Sequence, residues 1–497
     1  MRNLRASNEY VVAVQRANYG VMGMKTWLAV FAIVSLGFAP IGARALVPPY
    51  PTLTVGPQVD SVVVAAMKAQ AVPGVSIAIA RDGALLYAKG YGFRDTAAQR
   101  PVDPATYFEI GSITKQFTTA SIALLVGDGK LSFDQRVSTI LPDAPHAAEI
   151  TLRQLMTHTS GLPDFLANSK VAPFLHSTTV TPAELYGLEA GQPLHFEPGA
   201  KFEYSNTNYI ILGAIIEKIS GLSYGQFLRK RILDGTPFAG ISYGEPAGKI
   251  VSQGYNAADD TTALKIWSSN VSFAAGALYA TASDLTRWDD AFFKGRVVPL
   301  PMVAELTKPV DLPATPQNTY AKGWVASELD GHKEIWHNGG LPGFNTRNVY
   351  FPAERVAIVV LGNTIKFDES SIVKGIFRAM YPPTAAQLAA ELQSAPGEDP
   401  AITARVRDVY AQTIAKKIDR AQYAPATSAA LTDALVAQVG TQLASLGTPT
   451  AFVYLSKIEA NGSTAYIYRV VAPGGNLRMT LGLNADGKID GLLFGPG

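Results

Sequence analysis

The chain of 497 residues contains no cysteine. That absence excludes disulfides, thiolate nucleophiles, cysteine-ligated zinc and lipid attachment through sulfur. Histidine is sparse too. Its six copies form no HExxH or HxH pair, so no local metal motif is seen and neither a metal nor a cofactor is expected. Lys and Arg total 42 against 40 Asp and Glu, a net charge of +2, and no basic block occurs. That balance argues against nucleic acid or an anionic membrane as the main partner. Long apolar runs are missing as well. The stretch from Trp27 to Phe38 is roughly a dozen residues, short of the roughly 20 that a membrane-spanning helix needs. Met24-Lys25 precedes it and Ala43-Arg44-Ala45 follows, so residues 1–45 read as an export leader cut after Ala45. Residues 1–23 lack leader character, which places the true start at Met22 or Met24. The expected product is periplasmic or secreted, with no integral membrane span once the leader is gone.

Apolar residues make up 47% of the chain, enough for a large core, and the length suits two folded domains behind the leader. A helical pattern runs from Val59 to Ala69. Two alternating runs, Gly74 to Ala80 and Ala84 to Gly90, meet at Asp82-Gly83, a strong hairpin signal. From Ser112 to Leu125 the spacing is helical, and residues 140–300 read as helices and loops, including a helix from Asn208 to Ile219. Strand patterns return at Gly323 to Ser327, Lys333 to His337, Asn345 to Phe351 and Val356 to Gly362, before a helix from Ser371 to Met380. Strands at both ends with helices between predict one sheet completed by both termini of an α+β domain, residues 46–381. Residues 382–400, rich in Pro, Ala and Gly, read as a linker. Beyond it, 401–497 reads as a small α+β domain of two helices and a four-stranded meander turning at Asn461-Gly462, Gly474-Gly475 and Asp486-Gly487.

Three short motifs offer a nucleophile. Gly221-Leu222-Ser223-Tyr224-Gly225 matches the GxSxG elbow, which needs a strand before its serine. Here a helix precedes it, so Gly221 reads as a helix C-cap and Ser223 as the N-cap of the next helix. Ser371-Ile372-Val373-Lys374 is an SxxK with only a helix and the linker after it. Ser112-Ile113-Thr114-Lys115 differs, because Gly111 precedes the serine and a helix starts at it. A helix start favours developing negative charge on the hydroxyl, and Lys115 falls on the same face. To act as a base the amine must be neutral. Moving its pKa from about 10.4 to about 7 needs roughly 4–5 kcal/mol of differential stabilisation, from burial and a further polar partner.

Tyr204-Ser205-Asn206 and His337-Asn338-Gly339-Gly340 follow in order, and Phe108-Glu109-Ile110-Gly111 stands before the serine. With Leu155-Met156-Thr157-His158-Thr159-Ser160-Gly161-Leu162-Pro163 and the stretch from Ala275-Gly276-Ala277 to Asp284-Leu285, residues 55–380 resemble the serine β-lactamase and penicillin-binding superfamily. The resemblance is nearest to class C enzymes, DD-carboxypeptidases, D-amino-acid peptidases and related esterases. It implies a β-lactamase/transpeptidase-like fold and an acyl-serine enzyme acting on a small-molecule or peptidoglycan-derived substrate. By that resemblance Ser112 attacks, Lys115 removes its proton and Tyr204 acts as base or proton relay. The backbone N–H groups of Ser112 and Gly340 form the oxyanion hole. Asn206, His337 and Gly339 line the substrate, Asn206 either binding its amide or orienting Lys115. His337 stands where many relatives have lysine, which weakens a specifically β-lactamase reading. Taken singly, Tyr204 is an amphipathic core residue and His337 an ordinary strand residue; the ordered set is what singles them out. His158 reads as structural, capping or bracing the loop at Gly161, and Lys322 and Arg347 are weaker candidates for a substrate carboxylate. An acylating sensor that never turns over is the alternative from another functional class.

Overall fold

The computed structural model describes residues 56–496 apart from 257–259, 261, 313–318, 461 and 474. The leader and its cleavage site lie outside these residues. Helix α1 (Gly56–Gln70) leads into strands β1 (Gly74–Arg81), β2 (Ala84–Asp95) and β3 (Arg100–Pro101). Helices α2 (Thr114–Gly127), α3 (Asn206–Ser220), α4 (Ser269–Gly276) and α5 (Ala282–Phe293) follow. The chain then returns through β4 (Val325–Leu329), β5 (His332–Leu341), β6 (Phe344–Phe351) and β7 (Val356–Gly362) to helix α6 (Glu369–Met380).

One antiparallel sheet takes the order β3-β2-β1-β7-β6-β5-β4. Its centre is where the two ends of the domain meet, with Val75 opposite Gly362 and Ile77 opposite Val360. Both central strands are apolar on each face and buried nearly throughout, as strands covered on both sides must be. Asp82 and Gly83 close the β1–β2 hairpin at φ +54° and +85°, the left-handed pair that a two-residue turn requires. Helices α1 and α6 cover one face through Val59, Val63, Ile372, Ile376 and Phe377. Each such fully buried side chain contributes about 1.5–3 kcal/mol. The other face carries the larger core, with Phe117, Ile210, Leu285 and Trp288, and holds α2, α3 and α5.

The linker reading needs correction. Within residues 382–400 the chain forms helix α7 (Ala385–Glu391), capped by Thr384 and Gln387 in a reciprocal box. It is docked on the sheet domain: Glu391 meets Lys374 at 2.6 Å and Arg378 at 2.8 Å, and Gln387 Nε2 donates to the Asp330 carbonyl. Beyond it come α8 (Pro400–Ile414), α9 (Asp433–Ser445) and a second antiparallel sheet of β8 (Ala451–Ala460), β9 (Ser463–Val471), β10 (Leu477–Leu483) and β11 (Ile489–Pro496), paired in chain order. Val406, Val409 and Tyr410 of α8 pack on Tyr468, Val470, Met479 and Leu481.

Candidate active site

The other two serines have plain structural roles. Ser223 accepts from the Gln226 backbone in a capping box, and Gly221 ends α3 at φ +69°. Ser371 is exposed on α6 and donates to the Asp368 carbonyl, while Lys374 is held by Glu391.

Ser112 stands in a single 3₁₀ turn, Gly111–Ile113, that runs straight into α2. Gly111 has φ +55°, and a Cβ there would sit 3.0 Å from the Gly340 nitrogen. A Cβ on Gly339 would lie 1.9 Å from the Ile110 carbonyl oxygen. These glycines let the serine turn pack backbone to backbone on β5, which brings the Ser112 and Gly340 peptides to one edge of the cleft. Thr346, opposite Gly339 on β6, ties the two together by donating to the Ile110 carbonyl at 3.0 Å.

Lys115, one turn on, is completely buried. Its ammonium nitrogen lies 3.1 Å from Ser112 Oγ, 2.9 Å from Asn206 Oδ1 and 2.9 Å from the Ala275 carbonyl. Its surroundings are otherwise aromatic, with the Tyr204 and Tyr209 ring centres at 4.8 and 5.2 Å. Burial pushes its pKa down to about 7, against a smaller upward pull from Asp164. That is the polar-partnered, desolvated amine the motif required.

Asp164 stands outside every quoted motif, and Ala275 opens a family-like stretch to which no role was assigned. Asp164 accepts from Asn206 Nδ2 at 2.9 Å, so an amide links its carboxylate to the lysine; burial raises that carboxyl above the usual range. The only sequence hint was its place directly after Gly161-Leu162-Pro163. The Ala275 carbonyl is aimed by a kink in α4, where Phe273 adopts φ +36° and ψ −132°. Such a conformation in a bulky residue costs of order 1–3 kcal/mol and persists only where packing imposes it. Here Gly213 makes the room, since a Cβ on it would meet the Phe273 ring at 2.4 Å. Of the two roles considered for Asn206, the geometry has it orienting Lys115.

Tyr204 presents its ring to Lys115 on one side and to the His158 ring, 4.2 Å away, on the other. His158 does not brace the Gly161 loop with its side chain. Its Nδ1 instead receives the Ser205 backbone N–H and the Asn208 amide, so it holds the Tyr204–Ser205 turn.

His337 and Gly339 share the inward face of β5, whereas Asn338 and Gly340 alternate outward. The imidazole is 2% exposed, with Nδ1 at 2.6 Å from the Asn338 carbonyl and Nε2 at 3.1 Å from the Tyr320 hydroxyl. Direct donation to a substrate therefore does not fit, because both nitrogens are already engaged. Burial and the nearby Lys115 push its pKa to about 3. The weaker carboxylate candidates are also committed elsewhere. Lys322 binds Glu305, and Arg347 stacks on Trp336 at 3.7 Å on the opposite face of the sheet.

A family model described as beta-lactamase matches residues 59–379. The chain belongs to the beta-lactamase family. Penicillin-binding protein 4* of Bacillus subtilis is 27% identical over 325 residues, which cover 61% of this chain and 70% of that protein. The structure of a D-amino acid amidase from Ochrobactrum anthropi SV3, complexed with L-phenylalanine amide, matches with 25% identity and a TM-score of 0.57, over 66% of this chain and 98% of that one. An octameric penicillin-binding protein homologue from Pyrococcus abyssi, at 22% identity and a TM-score of 0.57, extends the likeness of fold to 86% of this chain. The beta-lactamase-family fold is thus the one the ordered motifs implied, and the sheet drawn from both ends and the added C-terminal sheet domain are those the strand patterns indicated.

Proposed function

We propose that this protein hydrolyses amide or ester bonds, the strained β-lactam amide among them, through an acyl intermediate on Ser112. The observation that carries the proposal is the buried Lys115 amine 3.1 Å from Ser112 Oγ with a pKa near neutrality. In the neutral form it takes the hydroxyl proton as Oγ bonds to the carbonyl carbon. The negative charge that develops on the carbonyl oxygen meets the N–H groups of Ser112 and Gly340. The proton then passes from Lys115, with Tyr204 as relay, to the departing amine or alcohol as the carbon–heteroatom bond breaks. Water, losing its proton to the same base, attacks the acyl carbon; the carbon–Oγ bond breaks, Ser112 takes the proton back and the acid leaves.

Substrate preference follows from charge. With His337 neutral, and Lys322 and Arg347 held elsewhere, the cleft offers little to a substrate carboxylate. Amides and esters without a carboxylate beside the scissile bond are the favoured class, a reading supported by the likeness to an amidase. We also propose that the chain is exported, with its mature form starting at Leu46. Among the described residues no helix is long and apolar enough to cross a membrane. Parallel incubation with p-nitrophenyl butyrate, D-phenylalanine amide and a fluorescent penicillin tests the preference. Steady turnover of the first two above penicillin is expected; turnover of penicillin alone refutes it, and a burst without turnover on all three identifies an acylating sensor.

A further inference from the structure

Tyr320 belongs to none of the motifs, yet it sits 5% exposed between two histidines. Its hydroxyl oxygen is 3.2 Å from His158 Nε2 and 3.1 Å from His337 Nε2. The far nitrogen of each ring dictates where every proton lies. His158 Nδ1 receives the Ser205 N–H and the Asn208 amide, both at 3.2 Å. The Asn208 orientation is itself set by the Ser160 hydroxyl, which donates to Asn208 Oδ1 at 2.7 Å. Nδ1 of His158 is therefore bare and Nε2 carries the proton. In His337 the opposite holds, because Nδ1 faces the Asn338 carbonyl and must be the donor, leaving Nε2 as acceptor. The Tyr209 hydroxyl, which donates to the Met156 carbonyl, also hydrogen-bonds Tyr320. The arrangement that leaves neither imidazole nitrogen unsatisfied is one in which His158 Nε2–H donates to Tyr320 and Tyr320 O–H donates to His337 Nε2.

We propose that Tyr320 is a positioning residue that clamps the turn bearing Tyr204 and Ser205 to the strand bearing Gly339 and Gly340, and so sets the width of the catalytic cleft. One end of the clamp reaches the backbone of Ser205 and the face of Tyr204 through His158. The other end reaches the Asn338 carbonyl, one peptide before Gly339, through His337. A phenol between two oppositely polarised imidazoles makes this link without any ionic charge. That matters beside Lys115, since a cationic imidazole would lie close to the amine, and both rings are held well toward the neutral form by burial and by that lysine. Histidine at position 337 is thus an acceptor for the clamp, whereas lysine, a donor only, cannot accept the Tyr320 O–H.

The cleft width serves catalysis only if the acyl-serine reading is correct, but the proton arrangement is open to direct observation. The full chain, labelled with nitrogen-15 in histidine, is examined by imidazole nitrogen NMR from pH 6 to 8, with His158 and His337 assigned through His158→Gln and His337→Gln. Expected are a neutral His158 protonated at Nε2 and a neutral His337 protonated at Nδ1. Tyr320→Phe, which keeps the ring and deletes only the hydroxyl, should shift the His337 Nε2 resonance and leave Nδ1–H in place. The same variant should lose about 10- to 100-fold in kcat on p-nitrophenyl butyrate with KM little changed, the pattern of misaligned rather than missing groups. Either imidazole in the reverse tautomer, a charged His337 at pH 6, or parental kcat in Tyr320→Phe overturns the proposal. If Tyr320→Phe does not fold, the tautomers of the parent protein decide alone. Correct tautomers in a protein whose Ser112 cannot be acylated would instead overturn the acyl-serine reading and leave the clamp intact.

Discussion

If neutral Lys115 is the base, acylation must follow its titration. With a pKa of about 7, the neutral fraction is about 3% at pH 5.5 and about 97% at pH 8.5, so acylation by an uncharged ester should rise about 30-fold between them. The slope of log rate against pH should be near one below the break and flat above it. The two buried histidines add nothing in this window, because their depressed pKa values keep them neutral throughout. Asp164 supplies a signed control. Its carboxylate stabilises the ammonium form, so Asp164→Asn, which keeps an oxygen for Asn206 to donate to, should lower the Lys115 pKa and move the break to more acid pH. The assay is stopped-flow acylation by p-nitrophenyl butyrate in buffers of constant ionic strength. A pH-independent rate from 5.5 to 8.5, or a break that moves upward in Asp164→Asn, would refute the reasoning.

Gly339→Ala should lose about 100-fold in acylation rate, because its Cβ collides with the Ile110 carbonyl and pushes the serine turn off β5. Thermal denaturation should show an accompanying loss of about 1–3 kcal/mol from overpacking. His337→Lys should raise the ratio of β-lactam acylation to neutral-ester hydrolysis, with the ester rate itself falling as Tyr320 loses its acceptor; parallel second-order rates measure both. A chain ending at Ser394 keeps helix α7 and its ion pairs and should still acylate Ser112 with a small ester, read by intact mass. Loss of labelling in a truncated chain that stays folded by circular dichroism would mean the C-terminal domain completes the site.

How much of this was legible in sequence depended on whether a feature is local. The Asp82-Gly83 turn, the individual central strands and the step from Ser112 to Lys115 rest on short-range spacing, and each is found where that spacing put it. Asp164 and Tyr320 come from segments with no motif, and Ala275 from a family-like stretch with no assigned role; all three meet the site only through the fold. The kink at Phe273 is a consequence of packing against Gly213, which no propensity encodes. His337 lies on the strand its pattern indicated, on the face of Gly339 rather than of Gly340, and its hydrogen bonding depends on a tyrosine 17 residues upstream. Helix α7 was missed for a different reason. Its Thr384 and Gln387 capping pair was readable, and the Pro-, Ala- and Gly-rich composition around it outweighed that signal.

The central claim, that Ser112 is the acylated residue, is tested most directly by intact mass after exposure to a fluorophosphonate and to a β-lactam. The parent, Ser223→Ala and Ser371→Ala proteins should each gain one adduct, and a folded Ser112→Ala protein should gain none. An adduct on Ser112→Ala, or its loss in Ser223→Ala or Ser371→Ala alone, would contradict the account.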